Sequence, residues 1–75
     1  MFEVIVWDYD AAPDAESQYF VAKQWWFENI EVAKRVARDE AEIRVGAAVF
    51  CEFDKIAGFG GLTFDHPEAH LIPSA

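Results

Sequence analysis

The sequence predicts an α+β domain: a small antiparallel β-sheet in β-β-α-β-β order with one helix packed on one face. Three observations carry this. Apolar residues alternate at period two over positions 2–9, a helical stripe follows Asn29, and strand-like alternation returns over 43–53.

The first strand places Phe2, Val4 and Val6 on one face and Ile5, Trp7 and Tyr9 on the other. A turn is predicted at Ala11-Ala12-Pro13-Asp14-Ala15, where proline fixes φ and removes a backbone donor. Residues 17–27 are dense in Tyr, Phe, Val and Trp, which favours a second strand and a hairpin. Tyr19, Ala22, Trp26, Ile30, Ala33 and Ala37 also fit helical spacing, so one long helix is the rival reading. The bulky Trp25-Trp26-Phe27 run suits a sheet better.

Asn29 is a natural N-cap, and Ile30, Ala33, Val36, Ala37 and Ala41 form one apolar stripe behind it. On the outer face Glu31 and Arg35, Arg35 and Asp39, and Arg38 and Glu42 stand four apart, the spacing for intrahelical ion pairs. Residues 43–53 read as the third strand, with Val45, Ala47, Val49, Cys51 and Phe53 on one face. Asp54-Lys55 reads as a connection and 58–64 as a glycine-loosened fourth strand. His66-Pro67 ends it, and 66–75 reads as a tail with Leu71-Ile72 tucked back.

Length and composition set the class. Seventy-five residues correspond to one domain, 1–75, with a thin core. Hydrophobic residues make up 53% and aromatic residues 16%, which excludes intrinsic disorder. The longest run without a break by charge is far short of a membrane span, and Met1-Phe2-Glu3 has no basic region of the secretory type. The lone cysteine, Cys51, forms no intramolecular disulfide, so burial alone must hold the fold. Together these features predict a cytoplasmic protein.

Catalysis finds no support. His66-Pro67-Glu68-Ala69-His70 lacks the order that sets two histidines and a base on one helical face. Gly58-Phe59-Gly60-Gly61 has no lysine and no following helix to make a phosphate loop. Ser17, Thr63 and Ser74 have no neighbouring base, and Cys51 reads as a small buried hydrophobe. No enzyme, metal or cofactor is predicted.

Charge is the informative quantity. Fourteen Asp and Glu against six Lys and Arg leave a net charge of −8, which disfavours direct binding to nucleic acid or an anionic membrane. The inferred topology gathers Asp8, Asp10, Asp14 and Glu16 with Asp39, Glu40 and Glu42 at one end of the molecule. Acid at a helix C-terminus opposes the macrodipole, so stability does not call for this arrangement. Glu52 and Asp54 fall at the far end of the third strand, pointing the same way about 6.6 Å apart, close to a phosphate repeat. One helix covers one sheet face only. The other, with Trp7, is predicted to be an apolar contact surface, and Trp7 and Trp25 join the carboxylates as partner-binding candidates.

The length, the acidity and the segment Asn29-Ile30-Glu31-Val32-Ala33-Lys34-Arg35-Val36-Ala37 between aromatic strands resemble small phage-encoded anti-CRISPR proteins directed at type I complexes. The resemblance implies a stoichiometric inhibitor in the bacterial cytoplasm. Its implied partner is a basic nucleic-acid-binding protein or complex, such as a CRISPR-Cas surveillance complex, met through a DNA-like surface. The alternative is a structural or regulatory homo-oligomer, a dimer included, that pairs through the aromatic sheet face with Trp7, Trp25 or Trp26 in the contact.

Overall fold

The structure, a computed structural model, describes residues 1–9 and 19–65. Its elements are β1 (Phe2–Tyr9), β2 (Tyr19–Phe27), α1 (Ile30–Ala41), β3 (Gly46–Cys51) and β4 (Asp54–Gly60). The fold is α+β, with the strands in one antiparallel sheet of order β2-β1-β3-β4 and the helix packed against it. The predicted turn at 11–15 and the tail at 66–75 lie outside the described residues.

β1 is central because its sequence is apolar on both faces, which only a strand buried on both sides tolerates. Val4, Ile5, Val6 and Trp7 are all buried. A bulge lies between Val6 and Trp7: Val6 pairs with Lys23 and Trp7 with Val21, leaving Ala22 as an extra residue. The bulge switches the parity of β2. Lys23, Trp25 and Phe27 share the helix side, while Val21 and Tyr19 share the side of Trp7 and Tyr9.

Residues 19–27 are therefore strand, the favoured of the two readings. The chain turns into α1 at Asn29, whose side-chain oxygen accepts from the Glu31 and Val32 backbone N–H groups at 2.8 and 3.3 Å. Ala33 and Ala37 are the fully buried helical residues. Their small side chains let the helix lie close over Val4, Val6, Ala47 and Val49, with Phe2, Trp25, Phe27 and Phe59 around the margin.

The last two strands differ from expectation. β3 ends at Cys51, and Asp54-Lys55, expected as a connection, opens β4. The link is the two-residue turn Glu52-Phe53, both in the left-handed region at φ 51° and 70°. That conformation suits the right-handed twist of a hairpin, but it normally selects Asn and Gly. The sequence carries no such signal here.

The segment expected to end the fourth strand instead leaves the sheet. Gly60 adopts φ 92°, and the Gly61 and Leu62 N–H groups both donate to the Val45 carbonyl, at 3.1 and 3.3 Å. Residues 61–65 then cross the sheet face opposite the helix. The crossing is close: a side chain on Gly46 would collide with the Leu62 carbonyl. Farther along, Lys55 Nζ donates to Thr63 Oγ1 at 2.6 Å, and Phe64 reaches Trp7 and Tyr19 with ring centroids 5.2 and 6.1 Å away.

This strap overturns the expectation of an open aromatic face. Ile5, Trp7, Ala48 and Phe50 form a second buried cluster, flanked by Val21 and Phe64. The sheet is thus apolar on both sides, as its alternation implies, but the centre of the side away from the helix is covered by the chain itself, and Trp26 stays exposed at one end of it.

Candidate protein-binding surfaces

The acidic residues meet where β1 ends and α1 ends. Arg44, in the loop between α1 and β3, donates from Nη1 to Asp8 Oδ2 at 2.7 Å, and its Nε lies 4.0 Å from Glu40 Oε2. Lys23 Nζ donates to Glu40 Oε1 at 3.0 Å and stands 5.5 Å above the Trp25 ring. The Tyr9 backbone N–H adds a 2.8 Å bond to Asp8 Oδ1. Hydrogen bonding from Arg44, then from Tyr9, holds the Asp8 carboxyl below the usual aspartate range.

Asp8 and Glu40 thus converge as the topology predicts, but each is neutralised by a cation that also fastens two elements together. The Glu40 side chain retains only 15% of its exposure. These two residues hold the fold at that end and are poor phosphate surrogates. Asp39 and Glu42 differ. Both are exposed, and among the described residues neither has a cation partner. Asp10, Asp14 and Glu16 lie outside the described residues.

Three further expectations are corrected. Glu52 sits in the hairpin turn and Asp54 begins β4 opposite Cys51, so they are not neighbours along one strand and show no phosphate-like repeat. Trp7 is fully buried, its indole N–H without a partner among the described residues, so it offers nothing to a partner in this conformation. Trp25 packs against the helix-side core and is only partly exposed. The accessible indole belongs to Trp26, 55% exposed, because Trp26 pairs with Glu3 on the face away from the helix. Parity with Glu3 on the first strand was the signal that could have separated Trp26 from Trp25.

Trp26 shares its end of the sheet with Met1 and with Phe53, which is 66% exposed at the hairpin tip. One end of the molecule therefore sets exposed aromatic residues among Glu3, Glu28, Glu52 and Asp54, and the other, across the length of β1, sets Asp39 and Glu42 beside the Asp8–Arg44–Glu40–Lys23 network. The intrahelical pairs expected on α1 do not close either. The ion pairs formed by described residues are Lys23 with Glu40, Arg44 with Asp8 and Glu40, and Lys55 with Asp65. Exposed i,i+4 pairs contribute only about 0.3–0.5 kcal/mol, little incentive to fix two long side chains.

Among the described residues no group of three His, Cys, Asp or Glu could hold a metal ion, and no helix is long and apolar enough to cross a membrane. Cys51 is a half-buried free thiol. Neither a protein-family model, nor a curated protein, nor a solved structure matches the chain.

Proposed function

We propose that the chain is a non-enzymatic inhibitor that sets its acidic end against a basic protein surface otherwise occupied by nucleic acid. One observation carries the reading. Asp39 and Glu42 stand exposed and unpaired among the described residues, on backbone fastened by the Asp8–Arg44–Glu40–Lys23 network. They occupy the last turn and cap of α1, where the macrodipole disfavours negative charge, so folding stability does not account for them. With the backbone beneath them fixed, only side-chain ordering is spent when these carboxylates meet guanidinium or ammonium groups.

The resemblance to phage-encoded inhibitors makes a type I CRISPR surveillance complex in the bacterial cytoplasm the first partner to test. Target-DNA binding by that complex is measured with increasing amounts of the protein, at about 50 and 300 mM salt. Inhibition that fades at high salt and is lost in the Asp39→Lys, Glu42→Lys variant supports the reading, since exposed charges are screened beyond about 8 Å at physiological ionic strength. Equal inhibition by that variant sinks it.

A second reading has its own observation. Trp26 and Phe53, exposed at the opposite end, suit pairing with another copy. A concentration-dependent dimer mass abolished by Trp26→Ala favours this homo-oligomer.

A further inference from the structure

In a chain of net charge −8, three cations stand together with no ion-pair partner among the described residues. Of the six Lys and Arg, Lys23, Arg44 and Lys55 are consumed by ion pairs. The other three, Lys34, Arg35 and Arg38, make no ion pair among the described residues and line one groove of about 380 Å³ with Glu31 and Phe59. Phe59 belongs to β4, so the groove runs between the helix and the last strand of the sheet.

Two features of this groove point to the same kind of occupant. The first is charge: Arg35 and Arg38 are exposed on successive turns, with Cβ atoms about 5–6 Å apart. The second is the backbone. β4 ends the strand order and, among the described residues, pairs with β3 alone, so its outer N–H and C=O groups have no ladder of their own. An extra residue at Ile56, between the Val49–Ala57 and Phe50–Lys55 pairs, breaks the regular edge in its first half and leaves residues 57–59, before the positive φ of Gly60, as the regular part beside Phe59.

The geometry points to a strand-addition site: an extended acidic peptide of a partner protein pairs with the outer edge of β4 and sets alternate carboxylates against Arg35 and Arg38. Alternate side chains of a strand lie about 6.6 Å apart on one face, close to the spacing of the two arginines. The helix supplies charge selection and β4 supplies main-chain bonds, the division of labour in peptide recognition by sheet edges. Glu31 at the N-terminal end of the groove repels a carboxylate there, which fixes the acidic positions toward Arg38. Nucleic acid is disfavoured as occupant because it has no peptide N–H and C=O groups to pair with the outer edge of β4. This site does not depend on the role proposed for Asp39 and Glu42.

The probe is a fluorescein-labelled eight-residue peptide alternating Glu and Val, followed by anisotropy, with β4 amides followed by NMR. Saturable binding with shifts at residues 57–59 is expected. Arg35→Glu and Arg38→Glu, both at exposed helix positions, should each weaken it at least tenfold with unchanged circular dichroism. N-methylation of alternate peptide amides, in either register, should weaken it as much in one of the two, while Asp39→Lys, Glu42→Lys binds no less tightly. No binding at millimolar peptide, binding indifferent to both N-methylated registers, or displacement by a single-stranded oligonucleotide would each overturn the assignment.

Discussion

Phe64 meets Trp7 edge-on, with ring centroids 5.2 Å apart and planes inclined by 68°. Trp7 comes from the middle of the sheet and Phe64 from the strap, so this contact joins the strap to the second core. Phe64→Ala is expected to cost about 1–3 kcal/mol, less than the removal of a fully buried Phe because Phe64 is only partly covered. Urea denaturation gives the cost, and Trp7 emission should move to longer wavelength. A stability unchanged within about 0.5 kcal/mol would mean that the strap does not protect Trp7.

Gly46→Ala tests the same strap from its other end. The new Cβ falls onto the Leu62 carbonyl, so the strap must lift or β3 must shift. A loss of about 1–3 kcal/mol is expected, with faster amide exchange at Gly61 and Leu62. Combined with Phe64→Ala the loss should be less than the sum, since a strap released at one end has less to lose at the other.

The hairpin tip predicts a gain. Glu52 and Phe53 hold left-handed conformations that cost non-glycine residues about 1–3 kcal/mol each. Glu52→Asn with Phe53→Gly places the favoured pair in that turn. An increase of about 1–2 kcal/mol is expected, and for a chain of this size each 1 kcal/mol raises the melting temperature by about 4–8 °C.

Acid should loosen the end that Asp8 fastens. Its pKa is lower folded than unfolded, so the unfolded chain binds the extra proton first as pH falls. The stability it contributes is fully present above the ordinary aspartate range near 3.9 and is lost as pH falls through the lowered value. Asp8→Asn should flatten that part of the pH–stability curve measured by urea titration. An unchanged curve would mean that the Arg44 bond adds nothing in solution.

The elements legible in the sequence are those fixed by local periodicity. The bounds of the first strand follow from alternation and the start of the helix from the Asn29 cap, and both stand as predicted. The last hairpin was hidden because Glu52 and Phe53 lack the residue types that announce such a turn. The strap was hidden because Gly60 and Gly61 read equally well as a weak strand, and what they permit, the approach to Gly46 and Val45, is a contact between distant positions. The acidic end was half legible. Topology brings Asp8 and Glu40 together, but only the side-chain geometry reveals that Arg44 and Lys23 neutralise them while Asp39 and Glu42 have no cation partner among the described residues.

The order of strands has a consequence for how the chain is made. β1 comes first in sequence yet sits between β2 and β3, so during synthesis one of its edges has no neighbour until residue 51 has been added. By contrast, residues 45–62 close on themselves, since the hairpin pairs locally and Val45 accepts from Gly61 and Leu62. Contacts near in sequence form faster than those across a long loop. The later part of the chain can therefore close on itself as soon as it is made and then receive the β1–β2 hairpin. Until then one edge of β1 and its apolar faces wait uncovered on the nascent chain, and slow translation through the helix would lengthen that exposure.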